Sequence, residues 1–206
     1  LKIWQTVLLE YPTKEFAMSG LDKFFSILEG YKKTLSWAIG GSAILPLIAS
    51  FAGLSPIWPA GTPIVTSLFV LFCIILSFQF FEQAAKRKVN FIMKVSFSVI
   101  VGAFVVYLFL FSRFVFDIPT NKELVYLGCG WSETSLGVAD VYGIGSDQGC
   151  PGNYKDVFAA FNYEAEVVWA QDSLTYVRVG MLVLWVGIFS AISVFVSTFL
   201  VYQSRR

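Results

Sequence analysis

Histidine is absent from all 206 residues. That absence removes Ser-His-Asp and Cys-His catalysis, histidine metal ligation and histidine proton relays. Charge is scarce as well: Asp, Glu, Lys and Arg make up 14% of the chain, while 56% is hydrophobic. Soluble domains carry about 25% charged and about 45–50% apolar residues. From Thr34 to Phe81 there are 48 consecutive residues without a formal charge. Such a run is too long for one membrane crossing and fits two, which argues against a soluble globular chain. No Walker A loop, HExxH, GxSxG or CxxC pair occurs. The stretch DVYGIGSDQG, Asp140–Gly149, carries acids and glycines without EF-hand spacing. The expectation is a protein that is not an enzyme, with no catalytic, cofactor-binding or metal-binding residues and no nucleic-acid partner.

What is present is a set of long apolar runs. Four fall near Thr34–Leu54, Pro63–Phe81, Val95–Ser112 and Val179–Tyr202. Each is close to the roughly 20 residues that a helix needs to cross the hydrocarbon. The runs are continuous rather than alternating, so helices and not a β-barrel are expected. The opening LKIWQTVLLEYPTKE is charged and lacks a small-residue cleavage site, so it does not read as a signal peptide. Insertion then rests on the internal spans. The predicted fold is an all-α membrane protein. It has four transmembrane helices, an N-terminal amphipathic interfacial helix, and a small disulfide-bonded extracytoplasmic domain between helices three and four.

Orientation follows from Lys and Arg. Lys86, Arg87, Lys88 and Lys94 lie between spans two and three against a single acid, Glu82. Lys32 and Lys33 precede span one, and Arg205 and Arg206 follow span four. With four crossings these regions share one side, which the positive-inside rule makes cytoplasmic. Residues 1–33 then form a cytoplasmic segment. Within it Leu21, Phe24, Phe25, Leu28 and Tyr31 recur at helical spacing after a Ser19/Asp22 capping pair. Residues 34–113 hold spans one to three, and residues 178–206 hold span four and the tail. The basic link is a candidate contact for anionic lipid or a cytoplasmic protein partner, although setting topology is its more ordinary task. The turn SPIWPAGTP joins spans one and two outside, with Trp58 at headgroup depth.

Residues 114–177 are the distinctive part. They hold nine acids and two lysines, a net of −7, with many glycines and aromatics, which suggests a compact domain. Asn153–Tyr176 is a candidate helix and Val125–Leu127 a candidate strand. Cys129 and Cys150 both lie here, and Cys73 stands alone in span two. Two cysteines in an oxidising compartment are expected to pair. At the membrane border, Asp117 follows Arg113 by four residues and could pair with it.

The spans contain no mid-membrane charge, which argues against a proton-coupled transporter or a voltage sensor. They are instead rich in small residues. In span four Gly187, Ser190, Ala191, Ser193 and Ser197 form a candidate helix-packing or homo-oligomer interface.

The layout of short outer hairpin, basic inner link and large outer loop resembles that of tetraspanins. Gly128–Gly130, however, reads GCG with one cysteine, where that family carries Cys-Cys-Gly. No N-glycosylation sequon occurs, which points toward bacteria. In size and layout the chain is also similar to small four-span inner-membrane subunits of bacterial antiphage systems such as Kiwa. That resemblance implies a bacterial inner-membrane location and a role in antiviral defence. Three functions fit the sequence. The first is an oligomeric sensor or scaffold that detects an envelope stimulus outside and signals to a cytoplasmic partner. The second is a small oligomeric ion channel or membrane-permeabilising effector. The third is an accessory subunit of a transporter or envelope enzyme.

Overall fold

A computed structural model describes residues 34–119, 122–143 and 150–204, with side chains from residue 40 to residue 203 within those ranges. The expected N-terminal amphipathic helix and the tail arginines lie outside the described residues.

Helix α1 spans Thr34–Phe51 and α2 spans Thr62–Glu82. The turn between them ends at Gly61, whose φ of 82° suits glycine, and Pro63 sits in the first turn of α2, where a missing N–H costs nothing. Helix α3 spans Lys86–Phe114. It passes without a break into strand β1, Val115–Asp117, which pairs antiparallel with β2, Leu124–Tyr126. Three short helices follow: α4, Glu133–Val141; α5, Lys155–Ala160; and α6, Ala165–Val168. The last element, α7, runs 34 residues from Gln171 to Ser204.

Three of these helices, α2, α3 and α7, are long and apolar enough to cross a membrane. In α1 the described part, Gly40–Phe51, is a shorter apolar helix. Helix α7 is the centre of the bundle. It packs along both α3 and α2, while α1 lies chiefly against α2. The buried side of α2 is a single stripe at every fourth residue: Thr62, Thr66, Val70, Ile74 and Phe78. Its other faces carry Ile64, Val65, Leu68 and Phe72, all more than half exposed. Apolar side chains thus cover both the inside and the outside. In water such an exterior would aggregate; in lipid it is the ordinary exterior, and contact between helices rests on packing and hydrogen bonds rather than on apolar burial.

Those hydrogen bonds are visible. The Ser193 hydroxyl donates within its own helix to the Phe189 carbonyl at 2.8 Å and lies 3.4 Å from the Val70 carbonyl of α2. Ser197 donates to the Ile74 carbonyl of α2 at 3.0 Å. The indole N–H of Trp185 donates to the Thr66 hydroxyl at 3.1 Å, and that hydroxyl donates to the Thr62 carbonyl. Buried indoles usually find such an acceptor, and for Trp185 it is Thr66.

The domain between α3 and α7 departs from the expected pattern. The helix expected over 153–176 is divided into α5, α6 and the start of α7. Asn162 and Tyr163 take positive φ values of 50° and 64°, which no helix tolerates, and Trp169 is extended. Helix α4 was not expected at all. Its N-cap is Ser132, whose hydroxyl accepts from the Ser135 amide.

Candidate functional site

The disulfide end of the bundle is built around one short strap, Gly128–Gly130. Its amides at Cys129 and Gly130 both donate to the Ser173 hydroxyl, at 2.5 and 3.1 Å, in the first turn of α7. The Ala170 amide donates back to the Gly130 carbonyl at 2.8 Å. The approach is close enough to require glycine. A Cβ on Gly128 would stand 2.8 Å from both the Ser173 hydroxyl oxygen and Trp169 Cβ.

Cys129 is bonded to Cys150, so the pairing read from the sequence is present, and Cys73 is a free thiol. The carbonyl of Cys150 accepts two hydrogen bonds from Arg113, from Nε at 3.1 Å and Nη2 at 2.8 Å. Arg113 is in the last turn of α3. Its guanidinium is therefore aimed at a backbone carbonyl 37 residues away rather than at the Asp117 carboxylate expected from spacing. One half of the disulfide is held by α7 and the other by α3.

Behind the strap lies an aromatic cluster. Trp131 stacks on Trp169 with ring centroids 4.8 Å apart. Tyr154 meets Trp169 and Phe116 edge-on, and Phe158 meets Phe116 and Tyr163 in the same way. Burial pushes the Tyr154 phenol above its ordinary pKa. The segment on which Trp169 sits is laced to α4. The Ser132 amide donates to the Val168 carbonyl at 2.9 Å, and the Ser135 hydroxyl donates to the same carbonyl at 2.6 Å. The turn between α1 and α2 docks on this end too, because the Ile57 amide donates to the Tyr126 hydroxyl at 3.0 Å. Burial raises the Tyr126 phenol, opposed by the amides of Ile57 and Trp58 and by the charge of Arg178.

At the opposite end, α2 and α3 are joined by a short turn, and Lys86, Arg87 and Lys88 form the first turn of α3. All three side chains are exposed, as is Lys94 two turns on. Val89 between them is buried against the bundle.

The small-residue stripe of α7 is divided by the fold. Ser193 and Ser197 are completely buried and hydrogen-bonded inside the bundle. Ser190 and Ala191 are half-buried, and Gly187 is exposed with open space around its Cα. The sequence placed these five residues in one class; the chain uses the two serines to join α7 to α2 and leaves Gly187 on the outside. Sequence reading counted Trp169 only among the aromatics of its segment, and passed over Ser173 and the Arg113 contact with Cys150. The signal for Trp169 and Ser173 was the GCG triplet, since a glycine-flanked cysteine implies a neighbour at close range. Among the described residues no group of three potential metal ligands converges. Compared with known proteins, the chain matches no family model, no curated protein and no solved structure.

Proposed function

We propose that this chain is a non-enzymatic, homo-oligomeric sensor or scaffold that crosses a bacterial inner membrane four times, with α1 as the first crossing and both termini in the cytoplasm. Its disulfide-bonded domain faces the envelope and receives a stimulus, and its basic end holds or releases a soluble partner. In size and layout this reading is compatible with the small membrane subunits of antiphage systems such as Kiwa. One observation carries this reading. Helices α3 and α7 each grip one half of the disulfide and then run unbroken to the other end of the bundle. At about 1.5 Å per residue they are roughly 44 and 51 Å long. A shift at the strap therefore becomes a tilt or separation of two rigid rods whose far ends stand beside Lys86–Lys88. The packed seam between α2 and α7 supports the same reading over a channel, because Val70, Ile74, Phe78 and Met181 are buried along it.

The test is co-purification from the native host. Wild type is expected to bring down a soluble protein with an acidic surface, in a manner weakened by salt. The triple variant Lys86→Ala, Arg87→Ala, Lys88→Ala is expected to lose it at equal membrane levels. A variant that keeps the same partner and the same cellular activity would refute the relay.

Assembly has its own expected result. Gly187→Leu, on the exposed side, is expected to shift native mass spectra in mild detergent toward monomer, since small residues let helices approach closely. Ser193→Leu is expected to damage the monomer itself. It puts a large side chain at a fully buried position against α2, and overpacking costs about 1–3 kcal/mol. Monomeric wild type in nanodiscs would overturn the assembly half of this prediction.

A further inference from the structure

The basic turn carries an inference beyond the relay, built on two of the cations that the relay also uses. Helix α3 begins at Lys86, and a helix turns by 100° per residue. Val89 and Ser96 are buried and mark its inward side. Arg87, Phe91 and Lys94 stand on the opposite side, flanked by Lys88 and Val95, with half-buried Ile92 at the edge toward the bundle. Phe91 is 68% exposed and Val95 44% exposed. Cations and bare apolar side chains thus share one outward strip. A hollow of about 560 Å³ on that strip is lined by Ala85, Arg87, Lys88, Phe91 and Ile92.

From Arg87 the strip continues through Phe91 and Val95 to Val99, which is also exposed. That path is about 18 Å along the helix, close to the roughly 15 Å of hydrocarbon in one leaflet. We infer that this strip binds an anionic phospholipid, with its phosphate held between Arg87 and Lys88 and one acyl chain lying along Phe91, Ile92 and Val95. Charge complementarity selects the headgroup, because the hollow is lined by two cations and no acid. The apolar continuation fits a lipid, whose acyl chain can follow the exposed Val95 and Val99 into hydrocarbon while its headgroup stays with the cations. Each basic side chain near a membrane surface favours an anionic lipid by a few-fold.

The experiment uses purified full-length protein in mild detergent, offered phosphatidylglycerol and phosphatidylcholine of the same chain length and read by native mass spectrometry. Phosphatidylglycerol is expected to stay bound and phosphatidylcholine to be lost. Arg87→Gln with Lys88→Gln is expected to lower phosphatidylglycerol retention on the order of tenfold. Phe91→Ser, with all charges kept, is expected to weaken it as well, and Lys122→Gln in the disulfide-bonded domain is expected to leave it unchanged. An intact Cys129–Cys150 bond in each variant checks folding. Equal retention of the two lipids, equal retention by the double variant, or displacement of the lipid by glycerol phosphate alone would each overturn the inference. Because purified protein is used, failure here is separate from failure of the relay, which is read by a co-purified protein.

Discussion

Trp169→Ala will lower the stability of the domain between α3 and α7 by about 3–5 kcal/mol, the range for removing a buried tryptophan. Trp169 is 1% exposed and stands where three parts of that domain meet. Its ring stacks on Trp131 and meets Tyr154, its Cβ abuts Gly128, and its own residue follows α6 directly. Its indole nitrogen is buried without a hydrogen-bond partner among the described residues. The side chain therefore contributes through ring area, and Trp169→Phe is expected to cost clearly less than Trp169→Ala. Hydrogen exchange in detergent checks both variants. Amides of 124–141 and 154–170 are expected to lose protection in Trp169→Ala, while the middle of α2 and α7 keeps it. Unchanged protection in Trp169→Ala would show that the cluster does not organise this domain.

Removing the disulfide by Cys129→Ser with Cys150→Ser is expected to cost about 3 kcal/mol, on the chain-entropy estimate for a loop of this size. For a domain of this size that is a large share of its net stability. The loss will be transmitted unevenly. The Cys129 side stays tied to Ser173 by two hydrogen bonds, whereas the Cys150 side keeps its tie to Arg113 through one carbonyl. Limited proteolysis is therefore expected to cut between 142 and 153 first, releasing no membrane helix. Equal protease resistance of wild type and double variant would refute this account. If the relay reading holds, the same variant will also lose the response to an outside stimulus, because α3 and α7 are then no longer gripped by one cross-link.

Much of this architecture could be read from local chemistry. The apolar runs that predicted spans two to four became α2, α3 and α7, and the structure lengthened the last two. Helix α3 begins nine residues before Val95, where the basic turn has no helix-breaking residue, and α7 begins eight before Val179. The cysteine pairing was legible because two of three cysteines share one polar segment. The Arg113–Asp117 pair was misread for an identifiable reason. Spacing of four brings side chains together only on a helix, and the helix ends at Phe114, so Asp117 lies on β1.

The serines of α7 mark where sequence reading ends. Composition alone determined that this chain has long apolar helices, one basic turn and one acidic, cysteine-bearing insertion. It could not determine which face of each helix turns inward. In a soluble bundle the contrast between apolar and polar faces carries that information. Here lipid and interior are equally apolar, so the contrast vanishes, and Gly187 and Ser193 look alike until a neighbouring helix is present. Only tertiary structure assigned Ser193 and Ser197 to carbonyls of α2, Thr66 to Trp185 and Arg113 to Cys150. Each is a contact between residues at least 37 positions apart, and its partner is a backbone carbonyl or a lone hydroxyl. Every residue has such a carbonyl and many have such a hydroxyl, so no pattern in the one-dimensional chain singles it out; the packing of α7 against α2 and α3 does.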